Sequence, residues 1–165
     1  SLPAIAIGVE TSPKDVLNDK PRKRNENLLS KRVSLIVTLE GLLIALCTLF
    51  AYRYGLKESI ACARTMAFLT LCLARLLHSF NCACEESVFT RIIRFRNINW
   101  CLILSFLIGF VLVNAIMVIP SFANILESVI LSRNQIIYIY LLSFMPFIII
   151  QSIKIFKTLK SKIKK

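Results

Sequence analysis

Four runs of about 20 apolar residues dominate this chain of 165 residues. They occupy residues 33–52, 60–80, 100–119 and 136–156. Each run is long enough to cross the roughly 30 Å hydrocarbon core of a bilayer as an α-helix. Because lipid cannot hydrogen-bond a backbone, a spanning segment must satisfy its own polar groups. The sequence therefore predicts an all-α membrane protein with four transmembrane helices.

Composition favours a membrane protein over a nucleic-acid-binding one. Hydrophobic residues make up 56% of the chain, charged residues only 18%, and the formal net charge is +12. A basic excess can indicate nucleic acid, but a soluble basic domain would not contain such apolar runs. We therefore expect a multi-pass protein of the cell membrane whose partner is the lipid bilayer, with no nucleic-acid partner.

Lysine and arginine are distributed unevenly between the two sides of the predicted membrane. Sixteen lie in the N-terminal segment, in the loop between the second and third runs, and in the tail from Lys154 onward, against four on the opposite side. Cytoplasmic loops carry such an excess, so both termini are predicted to be cytoplasmic. The predicted organisation is an N-terminal segment at 1–32, a four-helix domain at 33–156 and a basic cytoplasmic tail at 157–165.

The N-terminal segment contains an ordered set of short motifs. Residues 1–10 are SLPAIAIGVE, and Asp15-Val16-Leu17 and then Pro21-Arg22 follow. This order resembles P-type cation-transporting ATPases of the calcium-pump group. In that family the sixth membrane helix ends in Thr-Asp-Gly-Leu-Pro-Ala, before a loop with Ala-Leu-Gly-x-Glu, Asp-x-Met and Pro-Arg. Leu17 stands here in place of the Met.

The second apolar run extends the resemblance. ARTMAF at 63–68 and HSFNC at 78–82 look like the family's eighth membrane helix. The resemblance implies that the chain is the end of the sixth helix, followed by a cytoplasmic loop and by helices seven to ten. In the family the aspartyl-phosphate motif and the nucleotide-binding domain lie upstream. This chain contains no Asp-Lys-Thr-Gly stretch and no glycine-rich phosphate loop, so we predict no catalytic residue in it.

The resemblance implies the C-terminal transmembrane domain of an ATP-driven cation transporter, with calcium as the expected cation. Its partners would be the upstream transmembrane and cytoplasmic domains and the transported cation. ATP and Mg would be cofactors of the full-length parent enzyme, and none is expected in this chain. The alternative is a stand-alone four-helix membrane protein with an assembly or regulatory role. A reading frame that encodes Thr-Asp directly before Ser1 would favour the pump.

Arg75 and Glu40 are the candidates for an ion pathway. The resemblance places Arg75 where calcium pumps with two ion sites use a glutamate. A guanidinium offers no oxygen ligand and repels a cation, which implies a pump with one ion site or a different cation. Glu40 lies at a similar predicted depth, so a Glu40–Arg75 ion pair within the membrane is one hypothesis. The alternative is that each side chain extends separately to the interface.

The second run also carries a polar stripe, which we expect to face other helices or an aqueous path, or to serve packing alone. Its residues are Arg64, Arg75, His78, Ser79 and Asn81. His78, Cys82 and Cys84 offer three ligands that suit a soft metal, whereas a structural zinc site takes four. We therefore predict no metal site.

Asp15, Pro21 and Arg22 are candidates for a coupling loop. The resemblance implies that this loop touches the phosphorylation domain and links phosphorylation to the ion site, the alternative being a solvated loop. Replacing Asp15 and Pro21 in a full-length pump is therefore expected to uncouple ATP hydrolysis from transport. The measurement is the number of calcium ions transported per ATP hydrolysed, and an unchanged ratio would contradict the assignment.

Overall fold

The computed structural model describes residues 2–9, 31–83, 100–119, 121 and 128–163. Within these ranges the chain forms α-helices and no strand. The helices are α1 (Leu2–Gly8), α2 (Lys31–Gly55), α3 (Ile60–Ala83), α4 (Trp100–Val118) and α5 (Arg133–Ile163). Helices α2 to α5 are each long and apolar enough to cross a membrane, which confirms the predicted all-α membrane fold with four spanning helices.

Three helices extend beyond the apolar runs that predicted them, and α3 does so by three residues, to Ala83. Helix α2 begins at Lys31 and ends at Gly55, outside the run at 33–52. Helix α5 begins at Arg133 and continues without interruption to Ile163, so it includes most of the predicted tail at 157–165. Lysine and arginine are good helix formers, so the backbone ladder continues where the hydrophobicity stops. Hydropathy marks the part of a helix that suits lipid, and the helix itself is longer.

A tight turn joins α2 to α3. The N–H groups of Glu58 and Ser59 donate to the carbonyl of Gly55, at 3.1 and 3.2 Å. The hydroxyl of Ser59 then accepts from the N–H of Cys62 at 3.0 Å, which satisfies one of the unpaired donors at the start of α3. The short turn holds α2 and α3 side by side as an antiparallel pair.

Helix α3 is the central helix of the described bundle. It contacts α2, α5, α4 and α1. Half of the residues in its most apolar stretch are buried, against 11% in α2. Its side chains Met66, Leu69 and Leu73 form the middle of a core that all four spanning helices line. The other core residues are Cys47, Ala51, Cys62, Val113, Met117, Leu131, Ile139 and Leu142.

Polar contacts attach the start of α5 to the start of α3. The N–H of Ser132 donates to the side-chain oxygen of Gln135 at 2.7 Å, which is half of a capping box. The amide nitrogen of Gln135 donates to the Cys62 sulfur at 3.2 Å. The hydroxyl of Thr65 accepts from the N–H of Val129 at 3.1 Å. Each buried polar group named here therefore has a partner.

Aromatic rings link the helices on the two sides of α3. The rings of Tyr54 and Tyr138 stack at 4.4 Å and join α2 to α5. Phe80 and Phe106 meet edge to face at 5.0 Å and join α3 to α4. The Tyr140 hydroxyl donates to the side-chain oxygen of Asn114, which joins α5 to α4. These pairs fix the neighbours of each helix within the bundle.

Gly55 allows the closest backbone approach between α2 and α3. A Cβ atom at this position would lie 2.6 Å from the Ala63 Cα and 2.8 Å from the Ala63 nitrogen. Both are backbone atoms, so the two helices would have to separate. We expect Gly55→Ala to destabilise the protein by about 1–3 kcal/mol, the range for overpacked cores. The measurement is unfolding in lipid nanodiscs.

Gly41→Ala is the matched control, because Gly41 lies on the same helix as Gly55 and a Cβ atom there would meet nothing within 4 Å. Its helix propensity should rise by up to about 1 kcal/mol. Equal unfolding midpoints for the two variants would contradict the close packing at Gly55.

Candidate functional site

Polar side chains from three helices meet near the C-terminal end of α3. We call this group the polar cluster. Glu40 comes from α2, Gln151 and Lys154 from α5, and the two remaining members, His78 and Asn81, from α3 itself. Polar groups inside a membrane segment are costly unless they are paired, and they commonly mark functional positions. The polar cluster is therefore the candidate functional site.

Asn81 is the centre of the polar cluster. Its side-chain oxygen accepts a hydrogen bond from the Gln151 amide nitrogen at 2.6 Å. Both side chains are buried, with 4% of Asn81 and 2% of Gln151 exposed. The Lys154 ammonium donates to the backbone carbonyl of Asn81 at 2.6 Å. Carbonyls in the last turn of a helix lack an intrahelical donor, so Lys154 caps α3 from the neighbouring helix.

Glu40 and His78 form a contact between α2 and α3 that is an ion pair only when the imidazole is protonated. The Glu40 Oε2 lies 3.7 Å from the His78 Nε2, and each side chain is 21% exposed. Two other polar atoms of the polar cluster, the His78 Nδ1 and the Asn81 Nδ2, are buried without a hydrogen-bond partner among the described residues. The polar cluster thus has unused hydrogen-bonding capacity, unlike the opposite end of α3.

The structure divides the predicted polar stripe of α3. Arg64 and Arg75 are exposed, whereas Ser79 and Asn81 are buried and His78 is half-buried. Two arginines that are 11 residues apart do share a face, since 11 residues complete about three turns. His78 faces Glu40 on α2 and Asn81 faces Gln151 on α5, while the Ser79 hydroxyl bonds within α3 to the Leu76 carbonyl. The predicted stripe therefore comprises an exposed part and a buried part.

The hypothesised Glu40–Arg75 ion pair does not form within the described part of the chain. Glu40 instead faces His78, which follows Arg75 by three residues. Three residues rotate a helix by about 300°, so positions 75 and 78 differ by roughly 60° in direction. That difference directs His78 toward α2 and leaves Arg75 on the exposed side of α3. Glu40 therefore meets α3 at the predicted depth, but its contact there is His78 and not Arg75.

Some predicted residues cannot be placed. Asp15, Pro21 and Arg22, and the possible metal ligand Cys84, lie outside the described residues. Among the residues that are described, no group of three His, Cys, Asp or Glu side chains could hold a metal ion. Cys82 is exposed at the end of α3.

Sequence reasoning missed Gln151 and Lys154. A glutamine inside an apolar membrane run is itself a signal, because an amide in lipid needs a partner. Lys154 follows Gln151 by three residues, so the two share a helix face. Lys154 was assigned only to the basic tail, whereas it and Gln151 both donate hydrogen bonds to Asn81.

Comparison with known proteins identifies the family. Residues 1–156 match the family model described as "Cation transporting ATPase, C-terminus". The chain belongs to this family of cation-transporting ATPases. The resemblance noticed in the N-terminal motifs and in the second apolar run is therefore confirmed. The matched region includes α1 and all of α2, α3 and α4, and it ends within α5.

Curated relatives of this ATPase region come from bacteria. The chain is 31% identical over 175 aligned residues to "Calcium-transporting ATPase 1" of Bacillus cereus. This alignment covers 95% of the chain and 19% of that protein. The chain is 39% identical over 93 residues to "Calcium-transporting ATPase" of Bacillus subtilis, which covers 54% of the chain and 10% of that protein. The chain thus spans a fifth or less of the length of these relatives.

A substitution at Gln151 tests how much the polar cluster contributes to the stability of this ATPase C-terminal region. We expect Gln151→Leu to destabilise the bundle by about 1 kcal/mol, since it removes the donor to the buried Asn81 oxygen. Ser152→Ala is the control, because Ser152 is exposed and bonds only within its own helix, to the Ile148 carbonyl at 2.8 Å. Unfolding in nanodiscs measures both, and equal losses would contradict a structural role for the Asn81–Gln151 bond.

Proposed function

We propose that this chain forms the C-terminal transmembrane domain of an ATP-driven calcium transporter. One observation carries the proposal: the family match extends from α1 into α5 and so includes residues from all four spanning helices. Calcium is the proposed cargo because the similar proteins are named calcium-transporting ATPases. A stand-alone assembly or regulatory protein is not favoured, because the match begins before the first spanning helix.

The proposed role is to support the ion-binding helices upstream and to transmit conformational change from the cytoplasmic domains. The exposed residues of α3 support it, since they form one stripe along the helix: Ile60, Arg64, Phe68, Leu71, Arg75 and Cys82. An arginine that faces acyl chains costs about 2.5–3.5 kcal/mol on insertion scales. A stripe with two arginines is therefore better suited to other protein than to lipid.

Helix α1 also supports a link to upstream segments. It packs against α4 and α3, although it precedes the first spanning helix. Pro3 and Ala6 of α1 are buried in this contact. The segment that would lead into the upstream helices is thereby attached to the same two helices of the bundle.

We propose roles for the individual candidates in this transporter. Arg75 supplies no oxygen ligand, so α3 would add no carboxylate to an ion site from this position, which favours a single-ion pump. Glu40 would act through the polar cluster and not as a direct ligand, because its carboxylate faces His78. Asp15, Pro21 and Arg22 remain the proposed coupling loop. ATP and Mg would bind to the upstream domains of the full-length enzyme.

Transport by the full-length protein tests the proposal. In sealed vesicles that contain the purified protein, we expect ATP-dependent uptake of radioactive calcium, with one ion moved per ATP hydrolysed. The control is the same preparation with a non-hydrolysable ATP analogue. ATP hydrolysis without calcium uptake would exclude calcium as the cargo. A ratio of two ions would contradict the inference from Arg75.

Arg75→Gln tests whether the exposed stripe of α3 faces the ion-binding helices. We expect several-fold lower calcium uptake, since the variant removes a guanidinium from that interface. Arg53→Gln is the matched control, because Arg53 is exposed in the last turn of α2, at the far end of the bundle. If both variants transport at the same rate, Arg75 only extends to the membrane interface.

A further inference from the structure

Two unused polar atoms of the polar cluster lie on one face of α3. The His78 Nδ1 and the Asn81 Nδ2 are buried and have no hydrogen-bond partner among the described residues. The two residues are three positions apart, so their side chains are neighbours on the helix surface. The large majority of buried side-chain polar atoms in native proteins are hydrogen-bonded, either to protein or to ordered water. Both atoms therefore indicate a missing partner.

The surrounding contacts define what that partner must do. Asn81 accepts through its side-chain oxygen from Gln151, so its Nδ2 is a donor. The His78 Nε2 faces the Glu40 carboxylate at 3.7 Å, which favours a proton on Nε2 in the neutral imidazole. The His78 Nδ1 is then an acceptor. The partner has to accept from Asn81 and donate to His78, and water is the smallest molecule that does both.

We propose that the polar cluster is a proton-binding site, in which a water molecule bridges Asn81 and His78 and His78 accepts the proton. A hydronium ion at the bridging position gives its proton to the lone pair of the His78 Nδ1. Water and an imidazolium remain, and nothing is oxidised or reduced. The new Nδ1–H then donates to the water oxygen, while the Asn81 Nδ2 continues to donate to it.

Burial of the His78 ring and, after it, the charges around the ring determine how tightly a proton is held. On α2 the facing group is the Glu40 carboxylate, and on α5 it is the Lys154 ammonium, which contacts the same turn of α3. Arg75 and the Cys82 thiol lie on α3 itself, and both are exposed. The described residues of α1 and α4 carry no charge. Glu40 stabilises the imidazolium directly, whereas Lys154 opposes it.

The chain contains a single histidine, so a histidine-specific measurement reports on His78 alone. We propose nuclear magnetic resonance of the full 165-residue chain in lipid bilayers, with ¹⁵N-labelled histidine. The expected result for the neutral form is a proton on Nε2 and a magnetisation-transfer signal between water and Nδ1. Acidification should convert this form to the imidazolium. A proton on Nδ1 in the neutral form, or no water signal there, would overturn the proposal.

Two charge-removing variants test the site independently. Glu40→Gln should weaken proton binding to His78 by about tenfold or more, since it removes a carboxylate 3.7 Å away. Lys154→Met should strengthen proton binding several-fold. Glu58→Gln and Lys57→Met are the controls, because both residues lie in the turn at the opposite end of α3.

A change for Glu40→Gln no larger than that for Glu58→Gln would overturn the proposal. The measurement on the unaltered chain needs no variant, so it remains decisive if a variant fails to fold.

Discussion

A polar side chain inside a membrane helix must find a partner in the protein, because the surrounding lipid offers none. Half of the buried polar residues in the described part of the chain lie on α3, four of eight. Hydrogen bonds from other segments meet α3 at both of its ends. At its N-terminal end Thr65 bonds Val129, and Cys62 bonds Gln135. At its C-terminal end Asn81 receives hydrogen bonds from both Gln151 and Lys154. Helix α5 therefore contacts α3 at both ends of α3, near the two sides of the membrane.

The polar groups at the two ends of α3 differ in how many of them have hydrogen-bond partners. The hydrogen bonds near Thr65 and Cys62 pair the polar groups that meet there, and they hold the start of α5 against α3. The polar cluster at the other end has two buried atoms without a hydrogen-bond partner among the described residues, and it contains the Glu40–His78 contact. This is the end at which we propose that a water molecule and a proton are held. We propose that the exposed stripe of α3 is a separate surface that contacts further protein.

The length and hydrophobicity of the apolar runs were sufficient to predict the four spanning helices, because a bilayer sets the length of such a run. The family was also accessible from short motifs such as SLPAIAIGVE at residues 1–10. The partner of Glu40 could not be predicted from the sequence, because Arg75 and His78 lie at similar depths. Only the rotation of α3 about its axis decides which of them faces Glu40. Likewise, the contact between Asn81 and Gln151 joins residues 70 positions apart, and no local pattern specifies such a pair.

Helix α3 turns its inner face toward α2 and α5, and we propose that its arginine-bearing stripe faces the upstream helices. The most direct test is an experimental structure of the full-length protein in a lipid nanodisc. We expect protein side chains, not acyl chains, within contact distance of Arg64 and Arg75, and Gln151 bonded to Asn81. Lipid density along both arginines would contradict the claim, as would an Asn81 side chain that is separated from α5.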